Sequence, residues 1–404
     1  MALRNLGKTL LDNLLEGTGV EVGGDRPWDI TVNNPRFYRR ALRGSLGIGE
    51  SYIDGDWDCQ ALDVMFQRVL GARKWQSPLL RFARALKVLR ARLTNLQTRP
   101  RSMAVAEEHY NLDHRMYALL LGPWNQYTCC FFDGTSDLEQ AEINKLEMIC
   151  DKLEIGRDER VLDIGCGWGG FAKYAASTRG CEVTGISLSS EQIDYARSYT
   201  AGLPVTIRQI DYRDLPQSRL PPFDKIVIIG MIEHVGYKNY RELMDVVNQM
   251  LKPDGLFLLH TIGNRDETAV VDPWIEKYIF RNSMVPAMGQ LTRAAEENLV
   301  IEDWENYGHY YVPTLQAWYE RFNANWSQIQ ALDTERPFDE RFRRMWNYYL
   351  LSCKAAFEVE ELHLWHLVMT RRGSGRGVYD RVKHYSNRPR DAAAAPLQIR
   401  AERR

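Results

Sequence analysis

The sequence predicts an α/β fold with a doubly wound, mostly parallel sheet of seven strands, preceded by a small mixed N-terminal domain. From Arg160 onward, short β-branched apolar segments alternate with helical patterns, which is typical of a parallel sheet covered by helices on both faces. A glycine-rich turn joins the first such segment to the next helical pattern. The chain has 404 residues, of which 45% are hydrophobic, so it can bury one large domain and a smaller one.

The predicted strands are short and bounded by polar residues or glycine. In chain order they are RVLDIG, CEVTGIS, PVTIRQ, FDKIVIIG, GLFLLHTI, VIEDWENYG and HLWHLVMTR. Helical patterns follow the first, second and fourth of them, and two long ones precede the last. The apolar runs fall far short of the roughly 20 residues that cross a bilayer, and the amphipathic N-terminus is not a signal peptide. We therefore expect a cytoplasmic protein.

The part of the chain before this alternation has a different character. Residues 1–70 mix a short helix with a strand at Asp29–Val32, and the Gly, Asp and Ser content of LGIGESYIDGDWDC favours tight loops. We expect a small N-terminal domain (1–75) with lipid or dimer contacts, a basic amphipathic linker helix (76–103), a main domain (104–386) and a basic disordered tail (387–404).

Charge is distributed locally, because the net charge is only −1. Residues 71–101 contain nine basic and no acidic residues, and residues 371–404 contain ten basic and three acidic residues. This pattern predicts contact with an anionic membrane surface and no nucleic-acid partner. In the first segment an apolar stripe from Leu79 to Leu96 lies opposite three arginines, although a linker helix packed on a neighbouring domain would show the same pattern. These arginines are Arg81, Arg84 and Arg92.

The seven cysteines form no CxxC pair and have no histidine at zinc-ligand spacing, so no metal site is predicted. Their odd number is consistent with a reduced compartment. They are Cys59, Cys129, Cys130, Cys150, Cys166, Cys181 and Cys353.

The glycine-rich segment VLDIGCGWGG is compatible with two cofactors. Gly165, Gly167 and Gly170 satisfy the GxGxxG spacing of an NAD site. However, Asp163 would repel a pyrophosphate, whereas it could attract the positively charged methionine moiety of S-adenosylmethionine. The later segments FDKIVIIGMIEHVG and LKPDGLFLLHTIG match the fourth and fifth strands of Rossmann-like methyltransferases, so S-adenosylmethionine is the favoured cofactor.

With these motifs, the sequence resembles the cyclopropane-fatty-acyl-phospholipid and mycolic acid cyclopropane synthases over nearly its full length. The matching segments are EEHYNLDHRMYALLLGPWNQYTC, VLDIGCGWGG, GMIEHVG, LLHTIG, DPWIEKYIF and AWYERF. The N-terminal segments NNPRFYRR and GSLGIGESYIDGDWDC resemble the bacterial phospholipid enzymes. The resemblance implies a Rossmann-like class I methyltransferase fold and a reaction that turns a cis double bond of an unsaturated phospholipid acyl chain into a cyclopropane ring. It also implies a peripheral enzyme at the inner face of the membrane, and a homodimer.

The resemblance further implies specific site residues. Bicarbonate would act as the base, held by Cys129, Glu233, His260, the backbone amide of Ile262, and Tyr311; Cys353 matches a further cysteine position of the family. An acid commonly binds the ribose at the end of the second strand, but Ser187 stands there, so Ser187 and Gln192 are the expected substitutes. The expected cofactor contacts are Tyr127, Thr128, Leu162, Asp163, Ile164, Gly165, Cys166, Gly167, Trp168, Gly169, Gly170, Ser187, Gln192, Tyr212 and Arg213.

The chemistry accounts for these residue types. An unactivated alkene is a poor nucleophile, so the enzyme must align it with the sulfonium methyl group and then tolerate a carbocation. Water would trap that cation, which calls for an apolar, aromatic-lined pocket. Bicarbonate accepts several hydrogen bonds, so histidine, tyrosine and a main-chain N–H suit it. Three other functions stay open: transfer giving a methyl-branched acyl chain, methylation of a small amine, and non-catalytic lipid binding.

Overall fold

The computed structural model describes residues 2–72, 113–267, 271–334 and 337–380, and within them the predicted seven-stranded sheet is present. Its strand order is β5-β4-β3-β6-β7-β9-β8. All neighbouring strands are parallel except β9, which runs antiparallel to both β7 and β8. The prediction of a mostly parallel α/β sheet is therefore confirmed. The strands are β3 Arg160–Ile164, β4 Glu182–Ser187, β5 Val205–Gln209, β6 Phe223–Ile229, β7 Leu251–Asn264, β8 Leu299–Asn306 and β9 Leu362–Arg371.

Helices cover both faces of this sheet. Successive residues of β3 point to opposite faces, with Val161 packed in one buried cluster beside Phe171 and Leu162 in another beside Leu243. Strands buried on both faces read as continuous apolar runs, which explains FDKIVIIG and GLFLLHTI. Among the described residues the α-helices are α1 Ala2–Leu15, α2 Arg36–Ala41, α3 Ser45–Ile53, α4 Leu62–Gly71, α5 His114–Leu120, α6 Leu138–Lys152, α7 Gly170–Arg179, α8 Ser190–Tyr199, α9 Tyr240–Met250, α10 Pro273–Tyr278, α11 Met288–Ala295, α12 Tyr311–Ala324, α13 Trp326–Gln330 and α14 Glu340–Glu358.

The N-terminal residues form four helices, α1 to α4, and a two-stranded antiparallel sheet. The expected strand at Asp29–Val32 is present as β1, Thr31–Val32, which pairs with β2, Trp57–Asp58. The expectation of tight loops for LGIGESYIDGDWDC is wrong for its first half, because Ser45–Ile53 is the helix α3, whereas a turn does follow at residues 54–56. Glycines fit this helix because it packs closely: a Cβ atom at Gly47 would lie 1.9 Å from the Arg40 carbonyl oxygen, and one at Gly49 would lie 2.3 Å from the Trp274 ring.

The N-terminal residues share a buried core with α10 and α14. Trp57 and Trp274 belong to the same apolar cluster as Trp346 of α14. Arg344 of α14 donates hydrogen bonds to the carbonyl oxygens of Tyr52 (2.7 Å) and Trp57 (3.0 Å). This packing joins the N-terminal residues to α10 and α14.

Two predicted segments, the linker helix 76–103 and the tail 387–404, lie outside the described residues. Within the described ranges, no helix has the length and apolar character that crossing a membrane requires.

Candidate active site

The glycine-rich turn lies at the carboxyl end of β3, where parallel sheets commonly bind ligands. Gly165, Gly167 and Gly169 have φ angles of +83°, +52° and +82°, a region that favours glycine. A Cβ atom at Gly170 would lie 1.9 Å from the carbonyl oxygen of Trp124. The turn therefore brings its backbone against both the start of α7 and the segment containing Trp124.

A cavity of about 200 Å³ opens beside this turn. It is lined by every predicted cofactor residue except Leu162, Gly169 and Gly170. Leu162 faces the apolar core, Gly169 precedes the first turn of α7, and Gly170 packs on Trp124. The predicted residues that line the cavity are Tyr127, Thr128, Asp163, Ile164, Gly165, Cys166, Gly167, Trp168, Ser187, Gln192, Tyr212 and Arg213.

Two buried polar atoms in the cavity wall have no hydrogen-bond partner within the described residues, namely Asp163 Oδ2 and the Tyr212 hydroxyl. Asp163 is only 2% exposed. Burial raises the pKa of Asp163 to about 7, and the nearby charge of Lys145 opposes the rise. A buried carboxylate without a partner is costly unless a cation or donor joins it. The site therefore fits a ligand that carries a positive charge, as the methionine moiety of S-adenosylmethionine does.

Beneath the cavity lies a buried pair of charges, Glu142 and Lys145 on α6, that the sequence analysis missed. The Lys145 ammonium donates to the side chains of Gln126 and Thr128, the latter at 3.0 Å. Glu142 accepts from the backbone amides of Trp124 and Gln126, both at 3.3 Å. The pair thus holds the segment that forms one cavity wall. In the sequence, the signal for this pair is that both charged residues fall among the apolar positions of the helix face that is buried.

At the other end of the cavity, the Ser187 hydroxyl donates to Gln192 Oε1 at 3.1 Å, so the two expected ribose residues are neighbours. Asp211 also lines the cavity, but its carboxylate accepts hydrogen bonds from the backbone and side chain of Arg213. The remaining lining residues, which the sequence analysis did not assign, are Asn125, Gln126, Phe171, Ile186, Leu188, Ile210, Asp211, Ile229, Gly230, Met231, His234, Val235 and Asn282.

Glu233 lies on the short 3₁₀ helix Ile232–His234 that follows β6. Its Oε1 accepts a hydrogen bond from the backbone amide of Ile262 at 2.8 Å. Its Oε2 is buried without a hydrogen-bond partner within the described residues. Burial raises the pKa of Glu233, whereas the hydrogen bonds it accepts act in the opposite direction. The Ile262 amide, expected to contact bicarbonate, is thus engaged with Glu233.

His260 lies near the end of β7 and pairs with a second histidine. Its Nδ1 is 2.8 Å from Nε2 of His366 on β9, and both side chains are buried. Nε2 of His260 has no partner within the described residues. Burial holds the pKa of both histidines well below the usual range, so both rings are neutral at pH 7. His366 was not among the residues expected from the sequence.

Tyr311 and Cys129 lie in one neighbourhood. The Tyr311 ring stacks on Phe357 with centroids 4.4 Å apart. Burial raises the pKa of Tyr311 strongly, and Cys129 and Glu233 are the next groups that raise it. Cys129 Sγ lies 3.9 Å from Thr314 Oγ1, whereas the Cys130 thiol contacts the Thr128 carbonyl oxygen at 3.7 Å. The Cys129 sulfur thus lies against α12, the helix that begins at Tyr311.

Cys353 lies on α14. Burial raises its pKa to about 12, so its thiol is protonated at neutral pH. It lies near Tyr127 and Tyr349, whose hydroxyls are 3.0 Å apart. This environment fits a packing role better than a thiolate nucleophile.

Comparisons with solved structures identify the fold. A solved cyclopropane synthase from Mycobacterium tuberculosis superimposes with a TM-score of 0.61 at 23% identity, covering 68% of this chain and 99% of its own. A solved coclaurine N-methyltransferase gives a TM-score of 0.64 at 20% identity, covering 80% of this chain and 98% of its own. At these identities the likeness shows the methyltransferase fold.

Sequence similarity identifies the family as well as the fold. The chain is 45% identical over 363 residues to the cyclopropane-fatty-acyl-phospholipid synthase of Escherichia coli strain K12, which covers 90% of this chain and 93% of that protein. The family model described as mycolic acid cyclopropane synthetase matches residues 97–367. The chain therefore belongs to the mycolic acid cyclopropane synthetase family of S-adenosylmethionine-dependent methyltransferases.

Proposed function

We propose that this protein converts a cis double bond of an unsaturated phospholipid acyl chain into a cyclopropane ring, using S-adenosylmethionine as the one-carbon donor. The observation that carries the proposal is the 45% identity to the Escherichia coli cyclopropane-fatty-acyl-phospholipid synthase over 93% of that protein. The match includes the N-terminal part of the chain, which the family model beginning at residue 97 does not cover. This extent supports a phospholipid as the substrate.

The cavity beside the glycine-rich turn is the proposed cofactor site. When bound there, S-adenosylmethionine supplies an electrophilic methyl group. Asp163 would hold its cationic methionine moiety. The Tyr212 hydroxyl, which has no hydrogen-bond partner within the described residues, would donate a hydrogen bond to the cofactor. Ser187 and Gln192 would contact the ribose. The carboxylate of Asp163 also disfavours an NAD pyrophosphate at the same turn.

The proposed second site is an anion site formed by Glu233, His260, Tyr311 and Cys129. Bicarbonate, when bound, supplies a base for the proton that must leave as the ring closes. His260 Nε2 and Glu233 Oε2 are buried and unpartnered within the described residues. His260 would donate to a bicarbonate oxygen, and Glu233 would accept from the bicarbonate hydroxyl. The Ile262 amide would act through Glu233, since it holds the Oε1 atom of that carboxylate.

Aromatic side chains enclose the region between these sites. The Tyr127 ring lies 5.2 Å from Trp318 and 6.4 Å from Phe280 (centroid to centroid). Such rings exclude water, and their faces stabilise positive charge by roughly 0.5–2 kcal/mol each. They would therefore protect a carbocation formed on the acyl chain.

The substrate is a bilayer lipid, so the protein is proposed to act as a peripheral enzyme at the cytoplasmic face of the membrane. The basic segment 71–101 is the proposed contact with anionic lipid, and the N-terminal domain is the proposed contact between two copies in a homodimer. Both proposals are based on the sequence pattern and the family resemblance.

The test is incubation of the purified protein with S-adenosylmethionine and vesicles of unsaturated phosphatidylethanolamine and phosphatidylglycerol. We expect the acyl chain to gain the mass of one methylene and to show cyclopropane ring protons by NMR. A chain with the same added mass, a new methyl or methylene branch and a retained double bond would indicate a different acyl methyltransferase. Absence of any lipid product, together with methylation of an added amine, would refute the proposal. Lipid binding without cofactor binding would indicate a non-catalytic protein.

A further inference from the structure

His260 and His366 form a buried pair across the sheet. They are direct partners in the antiparallel register of β7 and β9, and the contact joins His260 Nδ1 to His366 Nε2 at 2.8 Å. Each side chain is 1% exposed. Within the described residues, the outer nitrogens of the pair, His260 Nε2 and His366 Nδ1, have no hydrogen-bond partner.

Since both rings are neutral, the pair can place its two protons in only two ways. In the first, His366 Nε2–H donates to His260 Nδ1, and His260 carries its proton on Nε2. In the second, His260 Nδ1–H donates to His366, and His260 Nε2 is a bare acceptor. The contact between the two rings thus decides whether His260 offers a donor or an acceptor to a bound anion.

We propose that His366 is a positioning residue that holds His260 in the tautomer protonated on Nε2, so that His260 presents a hydrogen-bond donor to the anion of the Glu233 site. This inference rests on the proposed function and deepens it. An anion beside His260 Nε2 requires a donor there, and that requirement selects the first arrangement.

The groups around His366 do not disturb this arrangement. The Tyr307 ring meets the His366 ring edge to face with centroids 4.9 Å apart. Glu305 is the direct partner of His366 in the register of β8 and β9, and its carboxylate accepts a hydrogen bond from the Lys152 ammonium. Because these two charges balance each other, the anion beside His260 decides which tautomer the pair adopts.

The activity test compares His366→Leu with His366→Gln. Leucine removes the hydrogen bond, whereas the glutamine amide can still donate toward His260. We expect His366→Leu to lower kcat by roughly 10–100-fold, as is typical when the partner that orients a functional histidine is lost, with little change in the affinity for S-adenosylmethionine. His366→Gln should recover most of the lost kcat. The matched control is His363→Gln, on the same strand but bonded to Asn306.

The tautomer test is NMR of protein labelled with ¹⁵N-histidine, with the His260 signals assigned by their absence in His260→Gln. We expect wild-type His260 to carry its proton on Nε2, and His366→Leu to show a mixture or the other tautomer. This readout needs no turnover, so it stands even if wild-type protein makes no cyclopropane lipid, a result that would refute the proposed function instead.

Three outcomes would overturn the inference. They are an Nδ1-protonated His260 in the wild type, an unchanged kcat in folded His366→Leu, and a loss in His366→Gln as large as that in His366→Leu. If His366→Leu does not fold, the tautomer of wild-type His260 and the kcat of His366→Gln still test the inference.

Discussion

Replacing Asp163 with asparagine should make the cofactor-free protein more stable while weakening its affinity for S-adenosylmethionine. In the folded protein burial raises the pKa of Asp163 to about 7, from an ordinary value of 3.8. Between these pH values the folded state binds a proton that the unfolded state has released. The free energy of unfolding therefore falls as pH rises through this window, and at higher pH the ionised carboxylate destabilises the fold.

The size of this effect follows from the two pKa values. At about 1.4 kcal/mol for each pKa unit, ionised Asp163 costs on the order of 4 kcal/mol above pH 7. Asparagine keeps the shape of the side chain and carries no charge. Asp163→Asn should therefore raise Tm by several degrees at about pH 8 and by much less at about pH 4.

Cofactor binding should respond in the opposite direction. The ionised carboxylate is the form that attracts the cationic methionine moiety, so affinity should rise with pH and level off above about pH 7. At about pH 6 the wild-type affinity should be roughly tenfold weaker than at this plateau, because about one tenth of Asp163 is ionised. Asp163→Asn should bind roughly 10²–10³-fold more weakly, with no such pH dependence, because a buried charge partner is lost.

The assays are thermal unfolding and calorimetric titration with S-adenosylmethionine across this pH range. The matched control is Asp194→Asn, which removes a carboxylate whose side chain is 78% exposed. The control should leave both affinity and Tm nearly unchanged. The reasoning is refuted if wild-type affinity is the same at about pH 6 and about pH 8, or if Asp163→Asn is less stable than the wild type at the higher pH.

Three further predictions address the other parts of the proposal. Gly167→Val should abolish cofactor binding, because the valine side chain would enter the open space beside the turn. Gly202→Val, also at a positive φ but on an exposed loop, controls for backbone strain, and equal calorimetric affinity of the two variants for the cofactor would contradict the prediction. Glu233→Gln should leave cofactor affinity intact and lower kcat by roughly 10²–10⁴-fold, and an unchanged wild-type rate in carbonate-free buffer would exclude a bicarbonate base. Neutralising Arg81, Arg84 and Arg92 together should weaken vesicle binding by about 3 kcal/mol, or roughly a hundredfold, at moderate salt. Equal co-sedimentation of the wild type and the triple variant at every phosphatidylglycerol content would indicate an interdomain helix instead.

The strands, the glycine-rich turn and much of the lining of the adjacent cavity could be predicted because their signals are local. Alternating apolar segments specify a parallel sheet, and the spacing from Asp163 to Gly169 identifies the turn. Twelve of the predicted residues line the cavity because these short motifs follow parallel strands, whose carboxyl ends meet at one edge of the sheet. The segment Ser45–Ile53 could not be predicted in this way. Its glycines suggested loops, but they serve the close approach of a helix to Arg40 and Trp274.

The polar groups behind the site depend on tertiary structure. Lys145 and Glu142 appear in the sequence as ordinary charges of a helix, and only burial beneath the cavity turns them into supports of its wall. His260 and His366 are separated by 106 positions and become hydrogen-bonding partners through the register of β7 and β9. The sequence by itself determined the fold class and the position of the glycine-rich turn, since periodicity and glycine spacing act over a few residues. The tertiary structure decided which charges and ring nitrogens meet, because strand register and helix packing join residues that are distant in the chain.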